Sequence, residues 1–148
     1  MDINQFLRII RNMDRRPFKP HRYLALLAII DIIENQENHQ NRFYYDDDFI
    51  NNFTNHFNKY HVPDDENRPF KPFFHLKNAG GFWFLRPKPG RESDLKKLKD
   101  ASPGKLRELV EYADLLPEIF AILSDTSSRK IVKEEIIKCL KAGLQTNL

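Results

Sequence analysis

The sequence is poor in cysteine, in glycine-rich loops and in long apolar runs, and each shortage narrows what the chain can be. Its 148 residues include one cysteine, so no disulfide framework can form within the chain, which fits a reducing compartment. Cys139 falls in a helical pattern beside Ile136 and Leu140, where the expected role is that of a small core hydrophobe and not a nucleophile. The main apolar stretch, Tyr23 to Ile33, is interrupted by Asp31 and is well short of the roughly 20 residues a helix needs to cross a bilayer. The N-terminus is amphipathic and charged from Asp2, unlike a secretory signal, so no membrane association and a cytoplasmic location are expected. The five glycines build no phosphate-cradling loop, and no serine, cysteine or lysine sits in a local nucleophile motif. Internal repeats and low-complexity segments are absent as well.

Charge is present in quantity but nearly balanced, at a net +3, and its segregation is more informative than its sum. Arg8, Arg11, Arg15, Arg16, Lys19 and Arg22 face one acid, Asp14, in that span. A second basic block holds Arg68, Lys71, Lys77, Arg86, Lys88, Arg91, Lys96, Lys97 and Lys99. Acids gather at Asp46 to Asp48, Asp64 to Glu66 and Glu108 to Glu118. Such separation suits a polyanionic partner, with ordinary solvated faces as the alternative.

Length predicts one domain over 1–148, with a core in 1–91 and further helices in 92–148. Asp2 is placed to cap a helix with Ile3, Phe6, Leu7, Ile10 and Met13 at helical spacing. A helix over Tyr23 to Ile33, apolar almost all round, belongs inside a core with neighbours on several sides. Arg42 to Tyr45 reads as a short strand, and Asp46, Asp47 or Asp48 as the cap of a helix with Phe49, Ile50, Phe53 and Phe57 inward. Phe73 to Lys77 and Phe82 to Arg86 read as two strands joined by Asn78-Ala79-Gly80-Gly81 into a hairpin. Ser102-Pro103 starts a helix through Leu106, Leu109 and Val110, Pro117 starts another, and a last one begins near Ser127 or Ser128. The expected class is α+β, a mostly helical domain with a small antiparallel sheet or hairpin, in an order that resembles the winged helix.

The tip of the central helix is the first candidate site. Pro20 fits the first turn; Lys19 precedes it, and His21 and Arg22 follow. Cations there oppose the helix dipole by about 0.3–1 kcal/mol each, yet cations together with free N–H groups make an anion site. Other chemistry is thinly supported. Asp64, Asp94 and Lys96 mimic the spacing of metal-dependent nucleases, but Ser93 to Leu98 reads as a helical turn where adjacent strands are needed. His39, His56 and His61 fall short of a zinc ligand set, so neither metal nor cofactor is expected.

Four blocks, taken together, resemble a known family. They are Pro20-His21-Arg22-Tyr23-Leu24-Ala25-Leu26-Leu27-Ala28-Ile29-Ile30-Asp31, Asn41-Arg42-Phe43, Lys71-Pro72-Phe73-Phe74-His75-Leu76 and Gly81-Phe82-Trp83. In order and spacing the chain is similar, over about Ile3 to Arg91, to the sulfur-binding domain of HNH-type restriction endonucleases that recognise phosphorothioate-modified DNA. The resemblance implies a module for double-stranded DNA in a defence system, without catalysis of its own; the alternative reading is a protein-interaction module whose acidic faces and wing dock a partner subunit. No H-N-H metal motif occurs here, so cleavage would come from another domain or chain. It also implies a cavity for sulfur walled by Pro72, with His21 and Arg22 as cationic rim, His75 lining it and Arg91 as a further phosphate contact; Lys19, Lys71 and Phe73 complete the candidate DNA-binding set. The family commonly has a tyrosine before the wall proline; this chain has Lys71, which makes the rim more cationic and favours ordinary phosphate.

Overall fold

The computed structural model describes residues 1–13 and 17–146. Asp14, Arg15 and Arg16 of the first charge cluster lie outside the described residues. Among these, no helix is long and apolar enough to cross a membrane.

Helix α1 (Ile3–Asn12) starts with a capping box: Gln5 N–H donates to Asp2 Oδ1 and Asp2 N–H to Gln5 Oε1, both at 2.8 Å. Its Phe6 and Ile10 are buried in the core, and α2 (His21–Asn35) begins directly after Pro20 and buries Tyr23 through Ile30 without a break. Tyr23 can lie in this core because its hydroxyl donates to the Ile10 carbonyl at 2.7 Å. Helix α3 (Asp47–Tyr60) is capped by Asp46, whose Oδ1 accepts from Phe49 N–H at 3.1 Å, and lays Phe49, Phe53 and Phe57 along α2.

The expected hairpin is not formed. Phe70–His75 is a short helix, α4, continued by a 3₁₀ turn over Leu76–Asn78. Pro72 is tolerated because it stands in the first turn, where a missing N–H costs no intrahelical bond. The strand that does form, β1 (Trp83–Pro87), pairs antiparallel with β2 (Val110–Leu115), Trp83 opposite Leu115 and Leu85 opposite Ala113. Two short helices, α5 (Glu92–Lys97) and α6 (Pro103–Leu109), fill the connection, so no wing projects. Helix α6 is capped by Ser102 as expected but ends at Leu109, handing Val110 to the strand. Phe43 adds one bridge to Ala113, its N–H and carbonyl both paired at 2.8 Å, in place of a full strand. Beside it the Asn41 amide imitates a strand residue, donating to the Leu115 carbonyl at 2.7 Å and accepting from its N–H at 2.8 Å.

Helix α7 (Pro117–Ser124) and helix α8 (Thr126–Gln145) close the core from the other side. Capped by Asp125, α8 starts at Thr126, slightly ahead of the start expected near Ser127 or Ser128. Gly143 lets α8 meet Phe18, since a Cβ there would overlap the phenyl ring. The result is a mostly helical α+β domain with one two-stranded antiparallel sheet among the described residues, its buried side chains running as one cluster from Phe6 to Leu140.

Candidate functional site

The first turn of α2 and the outer face of α4 enclose a cavity of about 380 Å³, lined by Lys19, His21, Arg22, Lys71, Pro72 and His75. Packing of α4 against α2 creates it, bringing residues some fifty positions apart to one concavity. Lys71 and His75 stand one helical turn apart on α4, with Pro72 buried between them. The pyrrolidine ring and the lysine stems make the surface largely apolar, while charged groups stand at its edge.

Both histidines are gripped by carboxylates. His21 Nε2 lies 2.9 and 2.7 Å from the two Asp65 oxygens. Asp65 is 7% exposed in its side chain and His21 28%, so this pair is largely shielded from water. A tight turn delivers Asp65: its N–H donates to the Val62 carbonyl at 3.2 Å, and Asp64 adopts a left-handed conformation at φ 64°. Since Asp65 holds Nε2, the remaining edge of the His21 ring is what the cavity can use.

On the α4 side, Asp100, from the loop between α5 and α6, faces His75 and Lys71. His75 Nε2 lies 2.9 Å from its Oδ1 and Lys71 Nζ donates to its Oδ2 at 3.2 Å. The Ala101 N–H donates to Oδ1 at 2.8 Å. The His75 imidazole first, then this N–H and the Lys71 ammonium, hold the Asp100 carboxyl down to about 2. Asp65 and Asp100 are the site residues that sequence reasoning missed. Nothing local marks either one, because each meets its partners only through the tertiary fold.

Six of the eight residues expected at the site therefore line one cavity. The other two stand elsewhere. Phe73 is fully buried behind Pro72, its ring edge-on to Phe49 and Trp83 at 5.0 and 5.4 Å, so it supports the wall without lining it. Arg91 is bound at Nε to Asp94 at 2.9 Å and at Nη2 to Glu108 at 2.8 Å, outside the cavity lining.

The rival chemistries gain no geometry. Among the described residues, no group of three or more His, Cys, Asp or Glu is placed to hold a metal ion. Asp94 of the nuclease-like trio is engaged by Arg91. His56 binds Asp31 at 2.5 Å, His61 Nδ1 donates to the Phe57 carbonyl at 2.9 Å, and His39 stacks on Phe43 with centroids 5.1 Å apart. No protein-family model and no curated protein matches this sequence.

Proposed function

We propose that this chain is a DNA-binding module that recognises phosphorothioate-modified backbone for a restriction system, its cleavage supplied by a separate nuclease domain or subunit. The observation that carries the reading is the meeting of Pro72 with His21, Arg22, Lys71 and His75 around one largely apolar cavity. A substituted phosphodiester is a single anion with one large, polarizable and poorly hydrated atom. Sulfur loses little water on entering an apolar pocket, whereas oxygen loses hydrogen bonds that Pro72, lacking an N–H, does not return. Arg22 and the free edge of His21 then hold the remaining oxygens through charge-assisted hydrogen bonds. The scarcity of cysteine accords with a cytoplasmic setting for such a system.

A second reading, binding of ordinary duplex DNA without preference for sulfur, draws on Lys71, whose ammonium is a hard donor suited to oxygen. One titration separates them: two duplexes of one sequence, one with a single stereodefined phosphorothioate, followed by fluorescence anisotropy over a range of salt. Tighter binding of the modified duplex, weakening steeply with salt, is expected. Equal affinity favours the second reading, and no binding to either duplex at physiological salt overturns both.

A further inference from the structure

The geometry points to Asp100 as a specificity-determining residue: its carboxylate occupies the Lys71 ammonium and the His75 imidazole so that the cavity presents them less readily to a phosphate oxygen. This rests on the reading above and deepens it. Lys71 stands where the resembling family has tyrosine, and an unrestrained ammonium there would reward an ordinary phosphate as readily as a modified one. The fold answers that with an acid from a distant segment. Asp100 Oδ2 accepts from Lys71 Nζ at 3.2 Å and Oδ1 meets His75 Nε2 at 2.9 Å. The carboxylate is oriented by its own loop, since the Ala101 N–H also donates to Oδ1 at 2.8 Å.

The effect is differential. Lysine makes strong hydrogen bonds to oxygen anions and poor ones to sulfur, which is a weak acceptor. Released from Asp100, Lys71 would bond to an oxygen seated against Pro72 and gain little from a sulfur in the same place. Discrimination is a difference of affinities, so strengthening the wrong ligand erodes it as surely as weakening the right one. Asp65, by contrast, is buried away from the cavity lining and fixes His21 without competing for the anion.

The test is the affinity ratio of the modified and unmodified duplexes for the wild-type chain, Asp100→Asn, and the double variant Asp100→Asn with Lys71→Met. Asp100 is 58% exposed on a loop, so its replacement leaves the core untouched. Asp100→Asn is expected to tighten the unmodified duplex by roughly tenfold, the size of one charge-assisted hydrogen bond, and the modified duplex much less. Removing Lys71 as well is expected to restore the wild-type ratio. Equal tightening of both duplexes would make Asp100 a simple charge, and weakening of both would make it an orienting group; either result overturns the inference. So does a double variant that keeps the reduced ratio. A wild-type chain with no preference for sulfur defeats the proposed function itself, whereas a wild-type preference untouched by Asp100→Asn defeats only the role of Asp100.

Discussion

Replacing His21 by alanine separates the stability this imidazole contributes from the binding it performs. Asp65 is only 7% exposed, against 28% for His21. Without His21, Asp65 keeps one hydrogen bond, from the Glu66 N–H at 3.1 Å, in a place that water barely reaches. A hydrogen bond to a charged group contributes about 1.5–3 kcal/mol, and breaking a fully buried pair on one side costs about 3–5. Partial exposure of the pair sets His21→Ala between these, at about 2–3 kcal/mol. Asp65→Ala should cost less, about 1 kcal/mol, because the more exposed ring can turn its Nε2 to solvent. The double variant strands neither group, so its cost should fall about 1–2 kcal/mol short of the sum. Urea unfolding at pH 7, followed by the fluorescence of the single tryptophan, Trp83, reads all three as midpoint shifts at constant slope. An Asp65→Ala variant less stable than His21→Ala, or costs additive to within about 0.3 kcal/mol, would refute the pairing as drawn.

Three further outcomes are expected. Arg22→Ala should weaken binding of the modified duplex by more than about 1 kcal/mol, measured by anisotropy, while Lys19→Ala should chiefly lower the slope of log K against log salt by about 0.9; an unchanged affinity would remove Arg22 from the interface. Gly143→Ala should cost about 1–3 kcal/mol in thermal unfolding, because its methyl overlaps the enclosed Phe18 ring, and a neutral result would mean that α8 can shift away at no cost. Asp100 has its carboxyl lowered from 3.8 to about 2, so its contribution to stability is present above pH 3.8 and disappears as pH falls through about 2. The gap in melting between the wild-type chain and Asp100→Asn should therefore narrow over that window, and a gap as large at pH 2 as at pH 5 would show that the carboxylate charge is not its source.

Local signals read well wherever they were self-sufficient. Asp2, Ser102 with Pro103, and Pro117 announced helix starts because a cap or a first-turn proline acts on groups within a few residues. The near-continuous apolar face of α2 announced a central helix for the same reason. Phe70–His75 misled, since aromatic residues and a proline favour a strand start as much as the first turn of a short helix. Val110–Leu115 was overlooked because Leu106, Leu109, Val110 and Ala113 keep a helical spacing across the junction. What made it a strand was an available partner, β1, more than twenty residues earlier in the chain.

The candidate site divides along the same line. Its parts were visible one by one: a cationic helix tip at His21 and Arg22, and a proline flanked by Lys71 and His75. Whether those parts would meet was decided only when α4 docked on α2. The carboxylates of Asp65 and Asp100, which bond to His21 and to Lys71 and His75 respectively, were invisible beforehand. Caps and amphipathic faces depend on neighbours a turn away, so the order of residues carries them. Ion pairs across the fold depend on which loops the packed core brings together, and that information exists only in three dimensions.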